Sequence, residues 1–453
     1  MNLKDKNILI MGLGVSGVST IKALSKLGAN IVVSDLKSKN ELKEYIKEIH
    51  FYPVEYFLGT NNVPLDNIDL IVKSPGIPLN VPVIQKAKEK NIEVITDIEL
   101  GYRIKPESSL IAITGTNGKT TTATLAGEFF KKTGLKCHVV GNIGVGILLD
   151  LVNSSKEDVF VVETSSFQLE NTINFKPSIS LVLNISPDHI NWHGSYNNYI
   201  NSKKKIFLNQ DKNDFTILNY DDPLVRNMKD EINSNIFWFS VHNILDKGVY
   251  INKSSIVIND GREEMEVISC KDLKIPGKHN LQNILASISI GWLMELDIKD
   301  MASVLKDFKG LEHRIEYVTN IKGIGFYNDS KGTNPISSIE AIKALKESII
   351  LIAGGMDKGS NFQEFVKSFN GRVKDLILLG ETSEKIKEAA IENGFENIYI
   401  VEDMESAVKK SFELGNKGDK VLLSPACASW DMYKSYEDRG LDFKKAVLNL
   451  KEG

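Results

Sequence analysis

The chain has 453 residues, 42% of them hydrophobic and 25% charged, with a formal net charge of −4, which suits about three soluble domains and argues against nucleic acid or an anionic membrane as the main partner. Cys137, Cys270 and Cys427 lie far apart with no CxxC pair, excluding a disulfide framework and a cysteine zinc site. No apolar run reaches membrane-spanning length and the chain enters a strand-like run almost at once, so a cytoplasmic protein without membrane insertion is expected.

The first strand-like run, residues 7–12, leads into Gly12-Leu-Gly14-Val15-Ser16-Gly17. A helix is expected over 18–27 and a second strand over 29–34, ending at Asp35. This order resembles a dinucleotide fingerprint. It suits a nucleotide-diphosphate site, or simply tight packing of a helix on its sheet. A further strand, 69–72, ends at Lys73-Ser74-Pro-Gly-Ile-Pro78, where prolines and glycine force a loop at the strand's carboxyl end. Open α/β sheets bind ligands at that edge. A domain boundary is expected within 97–107.

The apolar run 110–113 reads as a buried strand. It breaks into Gly115-Thr116-Asn117-Gly118-Lys119-Thr120-Thr121, and a helix opens at Lys119. Strand, glycine turn, Gly-Lys-Thr and helix form the layout of a phosphate-binding loop, although Ile113 stands where the usual first glycine would be. Glycines let backbone N–H groups approach phosphate, and the helix N-terminus favours the anion. Lys119 would neutralise the terminal phosphates and the Thr120 hydroxyl would take a place on Mg²⁺. A nucleoside triphosphate is the expected ligand.

Strands are then expected over 136–140, 158–163 and 179–185. They end respectively at Gly141-Asn142-Ile-Gly144, at Glu163, and at Ser-Pro-Asp188-His189. If the intervening segments cross over, these strands are parallel and their carboxyl ends share one rim with the glycine loop. Glu163 there suits a divalent cation beside phosphates. His189 is equally readable as a metal or substrate contact and as a structural hydrogen-bonding residue. Lys203, Lys204 and Lys205 read, from the residues alone, as a solvated helix face. Asn280 and Asn283, three apart, would share one face of a helix. A linker is expected over 307–312.

Beyond it, Glu312-His313-Arg314 precedes a strand near 325–328 and then Asp329-Ser-Lys331-Gly-Thr333. Strands over 348–353, 375–379, 397–401 and 420–423 alternate with helix signals, giving another α/β domain. Its glycine- and charge-bearing strand ends are Gly354-Gly-Met-Asp-Lys358 and Ser424-Pro-Ala-Cys-Ala-Ser429-Trp-Asp. Asn416-Lys-Gly-Asp419 matches a guanine-reading motif, but it precedes its strand and reads as a solvated turn.

Gly115–Thr120, Gly141–Gly144, Glu163-Thr-Ser-Ser-Phe-Gln-Leu, Asp188-His189, Gly277-Lys-His-Asn280, His313-Arg314 and Asn328-Asp-Ser-Lys331 occur in one order. Together they resemble the Mur ligase family, the ATP-dependent amide-bond formers of peptidoglycan precursor synthesis, over essentially the whole chain. The glycine-loop start, Lys73 to Pro78 and Ser424 to Asp431 look most like the member that adds D-glutamate to UDP-N-acetylmuramoyl-L-alanine.

The resemblance implies an α/β protein of three domains: a Rossmann-like UDP-binding domain over 1–98, a central P-loop ATPase-like domain over 99–310, and a Rossmann-like domain over 311–453 that binds the amino acid and closes on ATP. It implies that Gly14, Val15, Ser16, Asp35, Ser74, Asn142 and His189 hold the nucleotide-sugar. Asn280, Asn283, Arg314 and Asp329 would meet ATP with the phosphate loop. Lys331, Thr333, Lys358, Ser429 and Tyr436 would hold D-glutamate, although Trp430 and Tyr436 stand where an aliphatic residue and a Phe are expected.

Lys203 falls where the family carries a carbamylated lysine, a carboxylate in place of a cation. With Thr120, Glu163 and His189 it would hold two Mg²⁺ ions. Lys119, Glu163, His189, Lys203 and Arg314 would carry the chemistry of a monomer that needs no nucleic acid. The rivals are a folylpolyglutamate-type ligase, an NAD-dependent oxidoreductase with an attached ATPase, and a non-catalytic nucleotide-switched binding protein.

Overall fold

The computed structural model describes the chain apart from residues 61, 276–277, 346–347, 358 and 453 and the side chains of 278–279 and 451–452. The described residues form three sheets, of five, nine and six strands. They pack as two compact units, one of residues 1–272 with 282–305 and the other of 273–281 with 306–453.

The first unit holds two of the sheets. β1 (Asn7–Met11), β2 (Asn30–Asp35), β3 (Val54–Leu58), β4 (Leu70–Lys73) and β5 (Glu93–Ile95) lie in the order β3-β2-β1-β4-β5, all parallel. That order reverses direction at β1, the switch point where open sheets take ligands. The helix after β1 starts at Val15, a turn earlier than expected, which places Val15 and Ser16 in its first turn.

The second sheet is built on β6 (Ser109–Thr114), β7 (Cys137–Gly141), β8 (Val159–Glu163) and β9 (Ile179–Val182), parallel in the order β9-β6-β8-β7. β8 is buried at every residue, as expected of a strand covered on both faces. β9 ends three residues short of the expected Ile185. Beyond it the sheet continues through parallel β10 (Phe215–Asn219), β11 (Asn235–Ser240) and β12 (Gly248–Asn252) into antiparallel β13 (Ser255–Asn259) and β14 (Glu264–Ser269). None of these five strands was expected from the residues.

One hydrophobic core serves both sheets. Ile8, Leu24 and Ile31 from the first join Leu110, Phe160 and Val182 from the second, with Ile147, Leu148 and Leu151 between them. Polar ties cross the same seam. Ser19 Oγ donates to the Gly146 carbonyl at 3.2 Å and accepts from Leu149 N–H at 3.2 Å. The carboxylate of Glu99, on helix Asp97–Ile104, accepts the N–H groups of Ile173, Asn174 and Phe175 at 2.8–3.1 Å. It also pairs with Arg103 at 2.6 Å.

The second unit carries β15 (Glu316–Ile321), β16 (Ile324–Asn328), β17 (Ile349–Ala353), β18 (Val373–Leu378), β19 (Ile398–Ile400) and β20 (Lys420–Leu423), in the order β15-β16-β20-β17-β18-β19. Only β15 is antiparallel, and it was not expected. The Asn416–Asp419 turn does precede β20, but it is not wholly solvated. Asp419 is buried, accepts from Asn416 N–H at 2.8 Å and pairs with Lys374 at 3.0 Å, a turn closure that consumes its carboxylate. No described helix is long and apolar enough to cross a membrane.

Candidate active site

β6 delivers the chain to Gly115, and helix Lys119–Thr133 leaves from Gly118. Gly118 has φ +87°, and a Cβ there would lie 2.2 Å from Asn283 Oδ1, so both backbone and space demand glycine. Asn184 clasps the loop in a reciprocal pair: its Oδ1 accepts from Asn117 N–H at 2.9 Å and its Nδ2 donates to the Asn117 carbonyl at 3.1 Å. Thr116 Oγ lies 2.9 Å from the Tyr199 hydroxyl. Lys119 Nζ folds back onto the Gly115 and Thr116 carbonyls at 2.9 and 3.0 Å. Thr120 and Thr121 open the helix, and the Thr121 hydroxyl is buried without a hydrogen-bond partner. Asn280 and Asn283 share helix Lys278–Leu293 and are both buried. The layout read from the glycines is present.

Register brings the other strand ends to the same rim. Glu163 pairs with Ile113 across β6–β8 and with Gly141 across β7–β8. Its side chain is buried. Oε1 accepts from Asn142 Nδ2 at 3.0 Å, and Oε2 is buried with no hydrogen-bond partner. An orphaned carboxylate oxygen is costly unless something electropositive takes it. A hard divalent ion fits, since Mg²⁺ takes one or two carboxylates and completes its shell with water and phosphate.

His189 is exposed at the end of the loop after β9, with φ +51° and its ring 4.7 Å from that of Phe167. Lys203 is not on a solvated face. Helix Tyr196–Lys204 turns it inward, 2% exposed, with Nζ donating to the Gly115 carbonyl at 2.8 Å and lying 4.8 Å from the Tyr199 ring centroid. Burial, and then Lys119, push its pKa well below the usual lysine value against the pull of Asp188 and Glu163. Lys204 lies on the outer side and pairs with Glu231 at 2.5 Å.

At the first sheet's rim, Gly12 has φ +95° and lies so close to Ser74 that a Cβ would meet its Oγ at 2.4 Å. Ser74 Oγ donates to the Gly12 carbonyl at 3.3 Å. Both Asp35 oxygens are engaged, one by Leu13 N–H at 2.7 Å and one by Lys37 N–H at 2.9 Å. Asp35 thus shapes the glycine loop directly. Gly14 caps the helix that Val15 and Ser16 begin. Lys73, which sequence reasoning passed over, is buried with Nζ on the Ser74 and Pro75 carbonyls at 3.3 and 3.1 Å. Burial brings its pKa down to about 8.

In the second unit, Arg314 sits between two residues with positive φ, His313 at +62° and Ile315 at +47°. A β-branched residue in that region is strained and needs surrounding structure to hold it. Three bonds hold this segment: Ile315 N–H to Asp329 Oδ1 at 3.3 Å, Lys331 N–H to the His313 carbonyl at 3.0 Å, and His313 Nδ1 with Asn328 Nδ2 at 2.9 Å. Asp329 is buried and accepts from Ser424 Oγ at 2.7 Å. Desolvation raises its pKa to about 7, against the Ser424 bond and Arg314.

Lys331 Nζ lies 5.5 Å from the Tyr436 ring centroid, and Thr333 N–H donates to the Lys331 carbonyl at 2.8 Å. Ser429 is buried and Trp430 exposed. Lys358 lies outside the described residues. Arg439, missed in the sequence inside a charged helical run, is buried. It donates to Ser330 Oγ at 3.0 Å and to the carbonyls of Ser330, Cys427 and Ala428 at 2.8–3.2 Å, tying the loop after β16 to the loop after β20.

Comparison with known proteins agrees along the whole length. Residues 6–96 match the Mur ligase MurD-like N-terminal domain, 113–291 the Mur ligase middle domain, and 313–427 the Mur ligase glutamate ligase domain. UDP-N-acetylmuramoylalanine–D-glutamate ligases of Caldanaerobacter subterraneus subsp. tengcongensis and Clostridioides difficile are each 46% identical, over 100% of both chains. Among solved structures, the UDP-N-acetylmuramate–alanine ligase of Thermotoga maritima has a TM-score of 0.60 at 18% identity, covering 99% of each chain. A MurF ligase from the same organism, in complex with ADP, has a TM-score of 0.58 at 17% identity over 99% of each. At those identities the structures speak for the fold.

Proposed function

Because this chain belongs to the Mur ligase family, we propose that it is the ATP-dependent ligase that adds D-glutamate to UDP-N-acetylmuramoyl-L-alanine, giving ADP and phosphate in peptidoglycan precursor synthesis. The observation that carries the reading is the 46% identity, end to end, with ligases of that name. The three domains of the reading run over 1–98, 99–310 and 311–453, and the enzyme works as a cytoplasmic monomer.

In this reading the alanyl carboxylate attacks the γ-phosphorus of ATP and ADP departs, leaving an acyl phosphate. The D-glutamate amine then attacks the acyl carbon, phosphate leaves, and the amine's proton is lost as the amide forms. Two anions must meet in the first step, so positive charge is the main requirement, worth roughly 10³- to 10⁵-fold in phosphoryl transfer.

Lys119 supplies it from the phosphate loop, whose residues Gly115 to Thr121 take the triphosphate. Asn280, Asn283, Arg314 and Asp329 also meet ATP. Gly14, Val15, Ser16, Asp35, Ser74, Asn142 and His189 serve the nucleotide-sugar, and Lys331, Thr333, Lys358, Ser429 and Tyr436 serve D-glutamate. Asp35 acts there through the loop it braces.

Thr120, Glu163, His189 and Lys203 would hold Mg²⁺, which when bound offsets phosphate charge and polarises the phosphoryl group. Two features support that donor set. Glu163 Oε2 is buried with no hydrogen-bond partner. The Lys203 amine is buried, with its pKa pushed down; only the neutral amine adds CO₂, forming an N–C bond and releasing one proton to give the carbamate anion.

Phosphate release from ATP and Mg²⁺ with UDP-N-acetylmuramoyl-L-alanine, with D-glutamate, L-glutamate, glycine or nothing added, tests the proposal. Release that requires D-glutamate, with a product heavier by one glutamyl unit, is expected. Release with a different amino acid would reassign the enzyme within its family, and none at all would overturn the catalytic reading.

A further inference from the structure

Behind the rim that carries Glu163 and Lys203 lies a polar chain that the proposed chemistry does not use. Helix Ser166–Glu170 begins three residues after Glu163, and Ser202 immediately precedes Lys203 on helix Tyr196–Lys204. His193, at the end of helix Ile190–His193, stands between them. Its Nε2 is 2.9 Å from Ser166 Oγ and its Nδ1 3.2 Å from Ser202 Oγ.

The direction of each bond follows from the donor inventory. Ser202 Oγ also contacts the Glu170 carboxylate and, at 2.8 Å, the Asn198 carbonyl. Both of these only accept, so the Ser202 proton goes to one of them and its oxygen accepts from Nδ1–H. Nε2 then accepts from the Ser166 hydroxyl. Burial, which lowers the His193 pKa, favours the neutral ring this wiring needs. The imidazole is also clamped by packing. It stacks on Phe167 at 5.6 Å and 6°, meets Tyr199 edge-on at 5.4 Å, and its residue's carbonyl accepts from Asn198 Nδ2 at 2.8 Å.

We propose that His193 is a positioning residue that sets the spacing between the Glu163 segment and Lys203, and through it the affinity of the site for its divalent ion. The inference rests on the reading that Glu163 and Lys203 hold that ion. Partners bonded directly to a metal ligand change metal affinity by roughly 10- to 100-fold; His193 acts one residue further out, on Ser166 and Ser202, so the lower end of that range is its ceiling.

His193→Phe keeps the ring and its stacking and removes both hydrogen bonds; Ser202→Ala cuts the chain at its other end. Two readouts are needed in the full-length protein: the Mg²⁺ dependence of turnover, and Mn²⁺ binding with ADP followed by electron paramagnetic resonance. Each variant is expected to raise the Mg²⁺ half-saturation and weaken Mn²⁺ binding severalfold, up to about tenfold, with KM for the nucleotide-sugar unchanged. Labelling with ¹³C-bicarbonate should also give a weaker carbamate resonance.

Wild-type Mg²⁺ and Mn²⁺ behaviour in the variants would overturn the inference. If His193→Phe does not fold, Ser202→Ala decides alone. Glu163→Gln and Lys203→Ala separate the two layers. If they keep metal-dependent turnover, the underlying reading fails. If they lose it while His193→Phe and Ser202→Ala behave as wild type, only the role of His193 fails.

Discussion

Burial against Ser424, beside Arg314, moves the Asp329 carboxyl from its ordinary value of 3.8 to about 7. An acid raised in this way favours the fold in its protonated form. Its contribution is fully present below 3.8 and is lost as pH rises through 7. In the role proposed for Asp329 at ATP, the ionised form is the acceptor and opposes the Arg314 charge, so activity and stability are expected to run in opposite directions across that window. kcat/KM for ATP should fall below pH 7 in the wild type, and Asp329→Asn should remove that limb along with most activity. Thermal midpoints taken from pH 4 to pH 8 should fall less in Asp329→Asn than in the wild type; equal slopes would refute the assignment. Residues at this scale differ in how far they can be read from sequence. Glu163 is legible because an apolar run ends in it. Lys203 is not, since a run of three lysines looks solvated until helix phase turns one inward. Asn184 and Arg439 leave no signal at all, one hidden at the end of an apolar run and the other among surface charges.

Helix Asp97–Ile104 shows how a short element joins the two sheets of the first unit. Its Glu99 side chain is fully buried, yet it meets three successive backbone N–H groups and Arg103, which in turn pairs with Glu93 at 2.6 Å. Removing one partner of such a buried set leaves the others uncompensated, at a cost of about 3–5 kcal/mol. Glu99→Ala should therefore lower the thermal midpoint of the first unit by several degrees and loosen the 173–175 segment, which hydrogen exchange on those three amides would read. A midpoint within a degree of wild type would mean that water replaces the carboxylate. The elements legible in advance were those with strong period and punctuation: β1, β2, β4, β6 to β9, β16 to β20 and the helix after Gly118. The antiparallel end of the second sheet was not, because the β12–β13 turn places Lys253 and Ser254 at positive φ, +45° and +71°. Hairpin turns of that kind are usually announced by Asn-Gly or Asp-Gly.

At the scale of the molecule, three sheets do not make three independent cores. Length and motif order suggest three domains, and the chain matches three family domains. The side chains divide it differently. Buried residues between the first and second sheets form one continuous cluster, while Leu9, Ile71 and Val83 make a separate one on the first sheet's other face, and Gly146 approaches Ser19 so closely that a Cβ would lie 2.4 Å from the Ser19 Cβ. The third sheet has its own clusters on its two faces, around Leu351 and Phe365 on one and Ile352 and Phe443 on the other. Cooperativity follows shared burial, since elements that lose apolar contact together unfold together. Calorimetry of the full chain should thus resolve two transitions, the larger belonging to residues 1–272 with 282–305. Gly146→Val, which wedges the seam between the first two sheets, should split that larger transition, or lower it, without moving the other. Three transitions in the wild type would mean that the common core contributes less than the separate interiors of the two sheets. The loops around Gly12 and Ser74, proposed to hold the nucleotide-sugar, would then be free to move relative to Glu163. With one core they are fixed to it, and a substrate bound as proposed at the first sheet would act on a rim already built by the second.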